Sequence, residues 1–476
     1  MQAEGCYDAY DALDATAMAQ KVASGELGAA ELLEQALERA DRLNPALNAI
    51  VLDHRDRARE AARGGPQGPL AGVPFLLKDL GIQMAGTVTT EGSRFFADAV
   101  AQEDSFVVER YRKAGLVIFG KTASPEFGRG PVTESLLFGD CRNPWDLTRT
   151  PGGSSGGAAA AVAAGIVPAA QGSDGGGSLR IPASACGLFG FKPSRFRVPL
   201  GPGKGDGGGM STIHAISRSV RDSALLLDIA QGPEPGGYAA LGAPERPFAE
   251  EAACEPGQLR IGLVSRALFD YPVDPACRAA VEGAARLCES LGHAVEAVDL
   301  PVDGARMMTA GGLVFAAGAA LAVRRREEAL GRPAGEGDLE PRTLAAIAEF
   351  RRASAEALAE ARAHQVRVHR AMADLMERFD VLLSPTMAVP PGPIGSLGPE
   401  VDEEAFNALA TGYGVFTMLY NFTGQPAMSV PLHWTDEGLP IGVQFAGRFG
   451  EEALLFRLAG QLERAAPWFG RRPPRR

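Results

Sequence analysis

Residues 149–193 constrain this chain more than any other stretch. Glycines cluster at 152–153, 156–157 and 175–177 and bracket an alanine-rich run, Ala158–Ala164, with serines on each side. The first flank reads Arg149-Thr-Pro-Gly-Gly-Ser-Ser-Gly-Gly157, the second Ser173-Asp-Gly-Gly-Gly-Ser178-Leu-Arg180. The alanines are strong helix formers, so the helix presents two loops with almost no side-chain bulk. Such loops expose hydroxyls and backbone amides. Three glycines before a serine let unshielded N–H groups converge on one point, as an oxyanion hole beside a nucleophile requires. One such cluster alone reads more readily as loop filler; two around a single helix point to chemistry.

A nucleophilic serine needs a base, and histidine held by a carboxylate is the usual one. The six histidines, at 54, 214, 293, 364, 369 and 433, all lie outside glycine-rich serine motifs, and each reads as structural or solvated. Lysine can serve instead when burial disfavours its ammonium form. Lys78 ends the apolar, strand-like run Gly72-Val-Pro-Phe-Leu-Leu-Lys-Asp79, a position lysines generally avoid. The plainer reading is a strand-end lysine snorkelling to solvent.

The rest of the chain supplies the frame. With 476 residues, 46% apolar and 22% charged, it can bury a large core in one to three domains. A balance of 47 basic against 58 acidic residues, −11 overall, repels phosphate backbones and anionic lipid, which argues against nucleic-acid partners. The cysteines at 6, 141, 186, 254, 277 and 288 form no CxxC pair or Cys/His rhythm, so neither zinc nor a disulfide framework is indicated. The start, MQAEGCYDAYDAL, lacks the features of a signal or transit peptide, and a cytoplasmic location is expected. The longest apolar runs, near Ala158–Ala170 and Gly311–Val323, fall short of the roughly 18 residues of a membrane span; both read as buried helices, with no membrane partner.

Periodicity predicts a helical hairpin over Asp14–Leu43, broken at Ser24–Gly28. Strand-like Val73–Leu77 and Leu116–Phe119 alternate with helix-like Ser105–Ala114, the pattern of parallel strands with crossovers. Gly201–Gly209 and Gly232–Gly257 read as a loop and a surface excursion, and Leu259–Val264 as a strand. Glu340–Phe379 reads as a long helical cover, and Val381–Ser384, Ala427–Leu432 and Gly442–Phe445 as strands returning to the sheet.

The combination GVPFLLKD, PGGSSGG and SDGGGSLRIPASACGLFGFKPS, with NPWD at 143–146, ISRSVRD at 216–222 and NFTGQPAMSVP at 421–431, resembles the amidase signature family of serine hydrolases over essentially the whole chain. The resemblance implies an α/β fold: a single large domain, 1–476, with a mixed, mostly parallel twisted sheet covered by helices on both faces. Within it, 14–60 is an N-terminal helical region, 70–230 the signature core, 231–380 a variable helical region and 381–476 the return to the sheet. It implies Ser178 as nucleophile, Ser154 as a bridging serine reached through a cis peptide, and Lys78 as base. Gly175, Gly176 and Gly177, with the Ser178 N–H, match its oxyanion hole. Asp174, Arg180, Ser155 and Thr150 are supporting residues, and Cys186 is a small buried hydrophobe. Family members usually carry threonine or a larger apolar residue where Gly175 stands. Glu126–Gly130 is expected to line the acyl pocket, with Gly311–Val323 and Tyr413–Asn421 closing over it; Phe127, Phe315, Tyr413 and Phe416 are candidate walls.

The implied activity is hydrolysis of a linear or cyclic small carboxamide through an acyl-enzyme on Ser178, without cofactor or metal, by a cytoplasmic enzyme for which a homodimer is expected. Three other readings stay open. A related branch provides the glutaminase subunit of a tRNA-dependent amidotransferase. Gly153–Gly157 also satisfies GxSxG, which would make Ser155 the nucleophile of an α/β-hydrolase-type esterase, although Asp146–Pro151 is poor strand material for its elbow. Gly203-Lys-Gly-Asp-Gly-Gly208 spells GxGxxG, but no strand precedes it and no helix follows.

Overall fold

Strand formation follows the apolar runs. The computed structural model describes residues 9–203, 209–237 and 239–474; the GxGxxG string, Gly203 apart, and the first eight residues lie outside these. A three-stranded sheet holds β1 (Ile50–Asp53), β2 (Pro74–Lys78) and β3 (Val117–Thr122) in the order β1-β3-β2. The parallel pair β2 and β3 is fully buried and connected through the helix Phe106–Lys113, as the alternation of apolar runs predicts. A short hairpin, β4 (Glu134–Ser135) and β5 (Gly139–Asp140), leads to the glycine-rich segment.

The large sheet contains β6 (Ala169–Asp174), β7 (Phe189–Lys192), β8 (Thr212–Ser217), β9 (Arg260–Leu263), β10 (Ala294–Ala297), β11 (Val381–Pro385), β12 (Ala427–Trp434) and β13 (Pro440–Gly447). Its order is β10-β9-β11-β13-β12-β7-β8-β6. Helices pack on both faces, because alternate strand residues enter different cores. Val381 and Leu383 join one core with Leu455, Leu458 and Ala284, while Leu382 joins another with Met307, Val314 and Met372.

The sheet is mixed, as expected, but not mostly parallel: five of its seven strand pairings are antiparallel. The crossovers do exist. β6 and β7, joined through the helix Arg180–Cys186, run in the same direction, yet β8 slots between them and pairs antiparallel with both. Local periodicity reveals a strand and its crossover; it does not reveal which later strand fills the gap.

The N-terminal hairpin forms as helices Ala15–Ala23 and Ala29–Leu47. The expected long helix over Glu340–Phe379 is two, Pro341–Arg352 and Ala355–Leu375, because the Ser354 side chain accepts from Ala357 N and starts a new helix. The run at Gly311–Val323 extends to a 27-residue helix, Gly304–Leu330. By length and mean hydropathy (1.5) it could cross a membrane, contrary to the sequence count; 44% of the apolar window is buried inside the protein. Met307, Ala310, Val314 and Val323 form its packed side.

One buried ion pair ties the glycine-rich segment to the C-terminal strands. Arg180 meets both carboxylate oxygens of Asp174 (2.9 and 3.0 Å) and also donates to Thr417 O, Gln444 Oε1 and Asn421 Oδ1; neither charged side chain is exposed. Burial alone would raise the Asp174 pKa, but the Arg180 charge and hydrogen bonds outweigh it and hold the carboxyl well below the usual range. A group so depressed stabilises the fold above ordinary carboxylate pKa values and loses that contribution as pH falls through its folded value. Arg180→Met strands the carboxylate. A loss of about 3–5 kcal/mol is expected in chemical denaturation at neutral pH, and stability equal to wild type would rule out the pair as the tie.

Candidate active site

The site is assembled from the end of β2, the cis turn before the alanine-rich helix, and the end of β6. Lys78 closes a fully buried strand and is itself 0% exposed. Its backbone N donates to Gln171 Oε1 at 2.7 Å, which joins the small sheet to β6. Its Nζ lies 2.8 Å from Ser154 Oγ, 3.0 Å from Ser155 Oγ and 3.2 Å from Ser173 Oγ. The Gly153–Ser154 peptide is cis, and a β-carbon on Gly153 would lie 2.4 Å from Val132 O, so glycine is required there by close approach of backbone.

Ser178 sits partly exposed in the turn between β6 and the helix Arg180–Cys186. With Ser154, Ser173, Gly175 and Gly176 it lines a cavity of about 1300 Å³. Gly177 does not. Its N–H is committed to Asp174 Oδ1 at 2.7 Å, which corrects the expectation that all three glycines turn their donors to one point. Asp174 also takes Leu179 N, so it shapes the turn and does not face the cavity.

Ser155 is fully buried and exchanges hydrogen bonds with the Ser173 backbone (3.1 and 3.3 Å). Its preceding segment is no strand, so the GxSxG elbow is absent and its hydroxyl supports Lys78. Thr150 braces the same turn, its Oγ1 accepting from Gly152 N and its N donating to Gly392 O. Cys186 is buried, and burial pushes its thiol well above the ordinary range, consistent with a packing role.

Phe127, Phe315, Met418 and Leu80 contribute apolar walls to the cavity. Tyr413 and Phe416 are core residues instead; the Tyr413 hydroxyl accepts from Gly392 N. The glycine at 175 has a local cause: a β-carbon there would lie 2.9 Å from the Phe315 ring and 3.0 Å from Ser211 Oγ. Phe315 occupies the room a larger residue would need.

Two participants escaped the sequence reading. Ser173 was visible in the motif, and the period-two alternation that places it on the same side of β6 as Gln171 was the signal for its role beside Lys78. His364 lines the cavity from the helix Ala355–Leu375, with no local motif to mark it. The other histidines stand elsewhere. His214 bonds Ser223, and burial lowers its pKa to about 3; His293 and His369 are hydrogen-bonded within the fold. Among the described residues no group of three or more His, Cys, Asp or Glu side chains is arranged to hold a metal ion.

Comparison with known proteins gives the family. The amidase family model matches residues 31–456. The 6-aminohexanoate-cyclic-dimer hydrolase of Paenarthrobacter ureafaciens is 37% identical over 97% of this chain and 96% of its own. A solved structure of 6-aminohexanoate cyclic dimer hydrolase complexed with substrate superposes with a TM-score of 0.92 at 35% identity, covering 97% of this chain and 98% of that one. A bacterial aryl acylamidase of the amidase signature enzymes reaches 0.87 at 31% identity, with 96% of each chain covered. The chain therefore belongs to the amidase signature family and is a hydrolase of amide C–N bonds.

Proposed function

We propose that hydrolysis runs through an acyl-enzyme on Ser178, with Ser154 and Lys78 as its proton relay. The observation that carries this is the fully buried Lys78 amine 2.8 Å from Ser154 Oγ, with Ser154 and Ser178 both lining the one cavity. Burial disfavours an ammonium, and a neutral amine takes the Ser154 proton as Ser154 takes that of Ser178. The Ser178 Oγ–carbonyl bond then forms, and the developing oxyanion meets the amides of Gly175, Gly176 and Ser178. Lys78 returns the proton through Ser154 to the nitrogen as the C–N bond breaks, since expulsion of an amine needs a proton donor. Water attacks the ester by the same route and releases the carboxylate.

The cavity exceeds the roughly 300–1000 Å³ of ordinary ligand pockets. Its size and apolar walls support a substrate larger than a simple primary amide, a class that includes the cyclic amide of the relative named above. Among the described cysteines all five are free thiols and four are buried, which supports a cytoplasmic setting.

Ser178→Ala is expected to abolish amide turnover, with Lys78→Ala nearly as severe and Ser154→Ala leaving a small remainder. Mass spectrometry after treatment with a sulfonyl fluoride should place the adduct on Ser178; an active Ser178→Ala enzyme would refute the nucleophile. Because the relay acts only with an uncharged amine, kcat/KM should rise with pH through an ionisation that Lys78→Ala lacks, and a flat wild-type profile contradicts that base. Gly175→Thr should cost about 1–3 kcal/mol by overpacking against Phe315. The double variant Gly175→Thr/Phe315→Ala should recover most of the loss in thermal denaturation, and failure to do so would discount the ring as the reason for glycine.

A further inference from the structure

A buried polar atom without a partner calls for an explanation. Among the buried side-chain nitrogens and oxygens left without one in the described residues, those of two residues belong to the cavity lining: Nε of Arg129 and both ring nitrogens of His364. Arg129 directly follows the turn Glu126–Gly128. A β-carbon on Gly128 would lie 3.0 Å from Ser154 Oγ, so the guanidinium is carried on the segment that abuts the relay.

The other cavity arginines are engaged or hydrated. Arg306 pairs with Glu360 at 2.9 Å, Arg326 pairs with Asp98, and Arg325 is exposed to solvent. Arg342 donates to Gly398 O and Val401 O and lies over the Phe406 ring. Half-buried Arg129 has no ion pair within 4.0 Å among the described residues. Glu349 and Glu403 stand nearby on the cavity lining but are exposed, Glu126 is buried nearby and accepts from Ser93 Oγ and Glu340 N, and Arg342 adds a like charge. Its buried Nε loses hydration without recovering it from the protein, and the planar donor fork of a guanidinium matches a carboxylate. His364 does not supply such a charge: burial lowers its pKa, so its ring is neutral near pH 7.

We propose that Arg129 binds a carboxylate carried by the amide substrate, making the enzyme selective for anionic amides. The inference rests on the reading that the cavity at Ser154 and Ser178 is the amide site. It is tested with two substrate pairs. One compares monoanilides of straight-chain dicarboxylic acids with alkanoyl anilides of equal length ending in methyl. The other compares acetanilides carrying a ring carboxylate with those carrying a ring methyl. Within each enzyme, the ratio of kcat/KM for the anionic and neutral partner is the readout, since general damage to the fold moves both.

In one of the two pairs, Arg129→Gln should lower that ratio at least about tenfold, mainly through KM, with Arg129→Lys retaining part of it and His364→Gln leaving it in place. A ratio unchanged by Arg129→Gln in both pairs, or one that follows His364→Gln, overturns the subsite. Such a result beside an inactive Ser178→Ala enzyme leaves the amide reading intact. Were Ser178→Ala fully active instead, calorimetric titration of adipate into wild type and Arg129→Gln still decides. Weaker binding to the variant supports the subsite, and equal binding or none removes it.

Discussion

An amine held at the end of a buried strand constrains everything else at this site. Charged ammonium groups are costly to bury, and Lys78 is met by the hydroxyls of Ser154, Ser155 and Ser173 within 3.2 Å. Hydroxyls differ from carboxylates in one respect that matters here: each can donate or accept, so the same neighbours satisfy the nitrogen with and without its third proton. A carboxylate partner would favour the charged form. Asp79, next in sequence, is turned to Thr90 N and Oγ1, and burial raises its pKa to about 7.

Delivering three hydroxyls to one nitrogen requires three chain segments to approach closely, and this is what the glycines provide. The turn at Gly153 runs against Val132 backbone with no room for a β-carbon, and a β-carbon on Gly177 would lie 2.3 Å from Thr417 Oγ1. These glycines mark close contact, with backbone at Gly153 and with side chains at Gly177, not slack. The ion pair of Asp174 and Arg180 then fixes the second loop relative to the late strands through Asn421 and Gln444. In this way the NFTGQPAMSVP segment, far away in sequence, becomes part of the support for the second loop.

Much of this was legible in the sequence because the chemistry is concentrated in low-bulk motifs whose residue types have few alternative uses. Lys78, Ser154, Ser155 and the two loops fall where the pattern put them, and the apolar runs became strands within a few residues. What stayed hidden depends on contacts across long sequence separations. The insertion of β8 between β6 and β7 makes both of its pairings antiparallel, against the mostly parallel sheet expected. The engagement of Gly177 N by Asp174 narrowed the proposed oxyanion hole. Tyr413 and Phe416 have the composition of pocket walls, yet Tyr413 bonds Gly392 and Phe416 packs in the core with Leu419 and Tyr420. No local pattern distinguishes them from Phe315, which does face the cavity.

That difference has consequences for how substrate choice and catalysis are joined. The long helix Gly304–Leu330 supplies a cavity wall of mostly small residues, with Phe315 as its one large ring. This ring fills the space above Gly175, so a residue of that helix limits which side chain the proposed oxyanion loop can carry. A change at 315 that enlarges the cavity also removes the packing against 175. Substrate range and the rigidity of the proposed oxyanion donors therefore cannot vary independently in this chain. Its glycine at 175 is the local result of that coupling.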